Sequence, residues 1–282
     1  MPTAQLSGID IYYEEHGSGD PLLLIMGFGG HSLAWIMQVP ALAKQFRVIT
    51  LDNRGVGRSS VPPGPYTTRQ MADDAAALLD HLDIERAHVV GWSMGGMIAQ
   101  ELALGYPQKV DRLVLLASVA RTRPYAENWL RYATQSAELV KSGALDPTGA
   151  LLGGMPWMFT PAFLSQPDLV QAAIAQSLAD PFPPTPEGIA AQAEACRAHA
   201  FGDALDRLTE IAAPTLVLVG AEDILTPAVY SREMADRIPG ARLQILEKGG
   251  HGMPLEHPQQ VNDALLAFLA EPAAVPSAAV VG

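Results

Sequence analysis

The stretch that most constrains this chain runs from Ala87 to Tyr106, AHVVGWSMGGMIAQELALGY. Val89 and Val90 lead as an apolar run into Gly91-Trp92-Ser93-Met94-Gly95-Gly96, after which Met97, Ile98, Leu102 and Leu104 recur at helical spacing. The pattern predicts a strand, a very tight turn and a buried helix. A serine in such a turn is driven into a sparsely populated backbone conformation, and Gly91 and Gly95 leave room where any Cβ would strike a neighbouring element. Its hydroxyl then stands above the strand ends, at a helix N-terminus whose free N–H groups and dipole favour developing negative charge. G-x-S-x-G in this setting presents a nucleophile. A motif this short also arises by chance, so the partners of Ser93 decide its meaning.

Composition removes several classes of function. A formal charge of −12, with no Lys/Arg cluster to offset it locally, repels nucleic acid and anionic membrane surfaces, which leaves a small molecule as the expected partner. No apolar run reaches the roughly 18 residues of a membrane span. The N-terminus MPTAQLSGID has neither a basic start nor an apolar segment, so a cytoplasmic location is expected. Cys196 is the single cysteine; it cannot form an internal disulfide or a Cys-based metal site, and in EACRAHA it reads as a small packing residue on a helix. Neither a metal nor a cofactor is expected.

Along the chain, residues 1–16 predict two antiparallel strands, and Leu22 to Met26 a strand buried on both faces of a parallel sheet. That strand ends in the loop Gly27-Phe28-Gly29-Gly30, followed by a helix to about Lys44 and a strand from Phe46 to Leu51. The next loop, Asp52-Asn53-Arg54-Gly55-Val56-Gly57-Arg58-Ser59, carries Asp52 and Arg54, for which a buried ion pair holding the loop is preferred over a catalytic role. A helix over Tyr66–Leu82, the Ser93 unit and a strand over Val110–Ala117 complete the first half. Alternating helices and buried strands predict an α/β fold with a mostly parallel, doubly wound sheet. The rhythm stops near Ser118. Residues 119–204 hold helical patches broken by proline and glycine, predicting a helical lid over the C-terminal edge of the sheet, where ligands of open α/β folds bind. It resumes with a strand over Pro214–Gly220, a helix over Pro227–Ile238, a strand over Ala241–Leu246 and a helix over His257–Ala270. The expected organisation is one core, 1–118 and 205–270, with the lid inserted and a disordered tail at 271–282.

A serine hydroxyl needs a base, and histidine suits the task because its pKa lies near working pH. Of seven histidines, His81 and His88 flank the wrong end of the Ser93 strand, His16 lies in an early turn, and His199 reads as surface on the insertion. His257 precedes a proline at a helix start, and His31 is a minor candidate after the glycine loop. His251, in EKGGHGMP, follows the strand ending at Leu246 and so occupies the same sheet edge as Ser93. The third member must be a carboxylate that accepts the other imidazole N–H. Asp223, in GAEDILTP, follows the strand ending at Gly220; neighbouring Glu222 would point away, and Ala117-Ser118-Val119 offers no acid. Backbone N–H groups of Met94 and Phe28 are the expected oxyanion donors.

At this point MGFGG, LDNRGVGRSS, GWSMGG, GAEDILTP and GGHGMP together resemble the serine α/β-hydrolases over about Ile9 to Leu269. The chain is most similar in feel to 3-oxoadipate enol-lactonase-like hydrolases and small bacterial carboxylesterases, whose PYT-x-x-Q helix start is similar to Pro65-Tyr66-Thr67-Thr68-Arg69-Gln70. The resemblance implies the α/β-hydrolase fold, with the triad Ser93, Asp223 and His251 and the oxyanion hole of Phe28 and Met94. Met26 stands where many relatives begin the glycine loop with His-Gly. Serine as nucleophile removes the aspartate-dependent epoxide hydrolases and haloalkane dehalogenases. What is implied is hydrolysis of a small-to-medium hydrophobic carboxylic ester or lactone, acyl-homoserine lactones included, through an acyl-serine. Trp35, Trp129, Met155, Trp157, Phe159 and Phe163 are the expected substrate pocket. Arg121, Arg123, Arg131 and Arg197 are available for a substrate carboxylate, though solvated surface is the commoner role. Carbon–carbon bond hydrolysis, cofactor-free perhydrolysis and a ligand-binding module with little turnover remain as alternatives.

Overall fold

The computed structural model describes residues 2–271. Strands β1 (Thr3–Leu6) and β2 (Ile9–His16) form the expected antiparallel pair. After β3 (Asp20–Ile25) the single helix expected to about Lys44 is broken into a 3-10 turn, Ser32–Trp35, and the short α1 (Val39–Leu42). Pro40 explains the break: without an N–H it cannot continue a helix from upstream, but it fits the first turn of a new one. Next come β4 (Phe46–Leu51), α2 (Thr68–His81), β5 (Ala87–Trp92), α3 (Met94–Gly105) and β6 (Val110–Leu116). The PYT-x-x-Q segment is a helix cap, with Thr67 Oγ1 accepting from the Gln70 N–H at 3.0 Å.

Between β6 and β7 the structure has helices α4 (Glu127–Lys141), α5 (Pro147–Met158), α6 (Pro161–Leu164), α7 (Pro167–Leu178), α8 (Pro186–Ala200) and α9 (Ala204–Arg207), and no strand. The alternation then returns as β7 (Thr215–Gly220), α10 (Ala228–Arg237), β8 (Arg242–Leu246), α11 (Met253–Glu256) and α12 (Pro258–Leu269). Of the expected tail, 271–282, only Glu271 is among the described residues, its carboxylate paired with Arg242; the rest lies outside them. Among the described residues no helix is long and apolar enough to cross a membrane.

The strands form one sheet in the order β1-β2-β4-β3-β5-β6-β7-β8. Pairing is antiparallel where β2 meets β1 and β4, and parallel elsewhere. Side chains alternate between its two faces. Leu23, Ile25, Val89, Leu113, Leu115 and Val217 pack towards α2 and α3, whereas Leu22, Leu24, Val90, Val114, Leu116 and Leu218 pack with Leu42, Leu265 and Phe268 on the other side. Both faces are therefore dry, which is why these strands read as unbroken apolar runs.

The charged loop after β4 is buried and fully paired, although not as one internal ion pair. Asp52 binds Arg58 at 3.0 Å and accepts from the Ser32 N–H at 2.9 Å, whereas Arg54 makes two 2.6 Å bonds to Asp74 on α2. Sequence spacing could not show that Arg54 reaches across to a helix. Helix α8 of the insertion lies directly on this loop: a Cβ on Gly188 would sit 1.9 Å from the Gly55 carbonyl oxygen. Alanine normally stabilises a helix interior by about 1 kcal/mol over glycine. Gly188→Ala is expected to do the reverse, lowering unfolding free energy by about 1–3 kcal/mol through overpacking. Chemical denaturation of the two proteins checks it, and an increase in stability would contradict the close approach.

Candidate active site

Ser93 is the residue between β5 and α3, at φ 58° and ψ −121°. Such a conformation costs of order 1–3 kcal/mol in a non-glycine residue and persists only where its surroundings enforce it. Here they do. The Ser93 N–H donates to the Leu116 carbonyl at 2.9 Å, and its own carbonyl accepts from the Gly96 N–H and the Ser118 hydroxyl, both at 2.8 Å. Helix α3 can begin so abruptly because Gly95 lies against β3: a Cβ there would be 2.0 Å from the Ile25 oxygen, and one on Gly91 would be 2.2 Å from the Gly95 oxygen.

The turn aims the hydroxyl at His251. Its Oγ lies 2.9 Å from His251 Nε2, and His251 Nδ1 lies 2.9 Å from Asp223 Oδ2. The three residues come from the ends of β5, β7 and β8, neighbours or near neighbours at one edge of the sheet. Asp223 and His251 are buried, while Ser93 keeps partial exposure. Glu222 is exposed, as the alternation of neighbouring side chains requires.

A carboxylate this deep is penalised by desolvation, yet the Asp223 pKa is held below its usual value. His251 and the Thr226 side chain and backbone outweigh the burial. Asp223 Oδ1 accepts from the Leu225 and Thr226 N–H groups at 2.8 and 2.7 Å, and Oδ2 from the Thr226 hydroxyl at 2.6 Å. A lowered pKa favours the ionised acid, and a carboxylate in this place can accept an Nδ1–H of His251, the arrangement in which Nε2 faces Ser93 as an acceptor. Thr226 is a site residue that sequence reasoning missed; its signal was the D-x-x-T spacing, which lets a hydroxyl fold back onto an aspartate. Trp92 was missed as well. Its indole N–H donates to the His251 carbonyl at 3.1 Å and ties the histidine loop to the strand that carries the serine.

The glycine loop passes against this turn. A Cβ on Gly27 would be 2.9 Å from Ser93 Cβ and 3.4 Å from the Met94 nitrogen. Gly29 N–H is occupied by Gln192 Oε1 at 2.9 Å and Gly30 N–H by the Gly27 carbonyl at 3.2 Å. Among the described residues the N–H groups of Phe28 and Met94 engage no acceptor, and both residues border the same cavity as Ser93.

That cavity measures about 50 Å³, room for a few water-sized groups, and no charged side chain lines it. Of the expected pocket residues, Trp129 lines it together with its neighbour Leu130 on α4 and Ala126 just before that helix. Trp35 does not. It is fully buried on the opposite face of the sheet, with its ring 5.8 Å from that of Trp92, because the break before α1 turns it into the core. Trp157 packs on Trp129 at 6.0 Å, Met155 is buried within the insertion, and Phe159 stacks on Phe163 at 4.4 Å and covers Gly252. None of these four lines the cavity, and Trp157 backs its wall through Trp129. Cys196 and Ala200 of α8 border the cavity instead, one helical turn apart. Burial pushes the Cys196 thiol up to about 12, so it stays an unreactive wall group.

The remaining candidates have other partners. His31 Nε2 bonds to Asp180 at 2.7 Å. His199 is buried rather than on the surface, held 3.1 Å from both Thr68 and Gln100, and burial lowers its pKa to about 3, so it is neutral. Arg197 binds Glu127 and Glu194, Arg131 binds Glu127, and Arg121 and Arg123 are exposed; none of the four reaches the cavity.

Comparison with known proteins agrees with this architecture. The family model for the alpha/beta hydrolase fold matches residues 20–258. A protein of Azorhizobium caulinodans with the provisional name carbamate hydrolase RutD is 34% identical over 275 residues, covering 96% of this chain and 99% of the relative. Among solved structures, a hydrolase from Pseudomonas aeruginosa PA01 superposes with a TM-score of 0.83 at 35% identity, covering 96% of this chain and 98% of that one. The enol-lactonase from Burkholderia xenovorans LB400 gives 0.83 at 30% identity, covering 96% and 100%. With its sheet, its insertion and its sequence all aligned to such proteins over nearly their whole length, the chain belongs to the alpha/beta hydrolase family and is a hydrolase.

Proposed function

We propose that this hydrolase cleaves small, neutral, hydrophobic carboxylic esters or lactones through an acyl intermediate on Ser93. The observation that carries the reading is the unbroken hydrogen-bonded chain Asp223–His251–Ser93 at the border of a cavity free of charged side chains. As Ser93 Oγ attacks the carbonyl carbon, its proton passes to His251 Nε2, and Asp223 stabilises the imidazolium. Negative charge collects on the carbonyl oxygen, for which the Phe28 and Met94 N–H groups are the available donors. His251 then returns the proton to the departing alkoxide. Water, deprotonated by the same imidazole, releases the acid and restores the serine.

The lining bears on the substrate. An acyl portion bearing its own carboxylate would find no cation in the cavity, because the nearby arginines are paired or exposed. This favours a neutral acyl group, and the size of the cavity favours a short one.

A panel of p-nitrophenyl esters, lactones and ring-cleavage diketones tests the reading. Wild-type protein is expected to turn over the short esters, and Ser93→Ala to lower kcat at least about 10⁴-fold. Equal rates for the two proteins would instead favour a ligand-binding role, and preference for the diketones would favour carbon–carbon cleavage. Replacing Trp129 by alanine opens the wall. Trp129→Ala is expected to raise the hexanoate-to-acetate ratio of kcat/KM by about tenfold or more, and an unchanged ratio would move the acyl group elsewhere.

A further inference from the structure

The glycine loop that carries Phe28 is held from two sides. From the core, Asn53 Nδ2 donates to the Met26 carbonyl at 2.7 Å, just before the loop. From the insertion, Gln192 of α8 reaches Gly29, just after Phe28: its Oε1 accepts the Gly29 N–H at 2.9 Å. The same amide donates from Nε2 to the Arg54 carbonyl at 2.9 Å. Gln192 is fully buried, so neither group can be replaced by solvent without opening the packing. Its two bonds use opposite ends of one planar amide, which fixes the side chain's position as well as its orientation. Arg54 is itself locked to Asp74 through a buried two-point ion pair, which gives Gln192 a rigid footing on the core. Ile189, one turn earlier on α8, lies against the same spot: a Cβ on Gly29 would be 3.0 Å from its Cδ1.

The geometry points to Gln192 as a positioning residue for the oxyanion site. By taking up the Gly29 N–H and holding Gly29 in place, it keeps the peptide before it aimed so that the Phe28 N–H faces the oxygen of the reacting carbonyl. A donor that is turned or displaced by a fraction of an ångström loses most of its worth to a transition state, whereas the binding of the uncharged ester changes little. The helical insertion would thus supply part of the preorganisation of the reaction, through one side chain that never touches substrate. This inference rests on the acyl-serine reading above.

The test separates positioning from simple packing. Gln192→Met keeps length and volume but neither hydrogen bond; Gln192→Glu keeps an acceptor for the Gly29 N–H. Each is compared with wild type for p-nitrophenyl acetate turnover and for inhibition by an aryl boronic acid, whose serine adduct places an oxygen where the oxyanion forms. For Gln192→Met the expectation is a fall in kcat of about 10- to 100-fold with KM within about twofold, and a parallel fall in boronate affinity. Inhibition by benzyl alcohol, which makes no such adduct, should be unchanged, and Gln192→Glu should retain more boronate affinity than Gln192→Met. Unchanged kcat and boronate affinity in Gln192→Met would overturn the proposal. So would a loss of kcat with full boronate affinity, or equal loss in boronate and benzyl alcohol binding, which marks general disruption. If Gln192→Met does not fold, boronate affinity of Gln192→Glu equal to that of wild type supports the role, and a loss shared with benzyl alcohol overturns it. Wild-type protein that neither turns over esters nor binds boronate would sink the acyl-serine reading itself, a result distinct from any difference between the variants.

Discussion

The contact on which the site depends is backbone against backbone, where α3 meets the ends of β3 and β5. Gly95 lies so near the Ile25 carbonyl, and Gly91 so near Gly95, that the helix can start on the residue after Ser93. A larger residue at either position would force the helix away and relax the turn. The strain of the Ser93 backbone is offset by bonds to Leu116 of β6, Gly96 of α3 and Ser118 just beyond β6, all of them buried. The Ser93 hydroxyl is therefore placed by the buried core of the protein, although it borders the cavity.

Electrostatics follows the same logic. Asp223, Asp52 and Arg54 are all buried, and each is surrounded by fixed donors or opposite charge. The difference lies in what they face. The Asp52 carboxylate binds backbone N–H groups and Arg58, and the Arg54 guanidinium binds Asp74, so they hold a loop. Asp223 turns one oxygen towards an imidazole whose far nitrogen lies 2.9 Å from a hydroxyl, so its charge is linked through His251 to Ser93.

Much of this was legible in the sequence because the relevant signals are local. Two-face burial leaves continuous apolar runs, and a loop directly after such a run must lie at the strand's C-terminal end; Ser93, Asp223 and His251 could be brought to one edge on that basis alone. Side chains that act across the fold leave weaker marks. Trp35 looked like a pocket aromatic, yet Pro40 ends the preceding segment and turns it into the core. His199 sits on an alanine-rich helix that reads as surface, but that helix is sandwiched between α4 and the core, and its histidine is buried beside Gln100. Cys196 and Ala200 line the cavity because of where α8 docks, which no periodicity within α8 reveals. Arg54 found its partner twenty residues away for the same reason.

The join between α5 and α6 also rests on the histidine loop. Glu256 accepts from the Thr160 N–H at 2.6 Å and from the Gly250 N–H at 3.0 Å, and the Gly252 N–H donates to the Met158 carbonyl at 2.6 Å. The consequence concerns recombination among relatives. A helical segment exchanged as a cassette between two such proteins would arrive without the acid that clasps its hinge, and would leave that acid behind, half sequestered, on the loop that carries His251. Inheritance of the helical segment and of the short stretch after β8 should therefore be linked, so that the pair behaves as one heritable unit although Thr160 and Glu256 lie 96 positions apart.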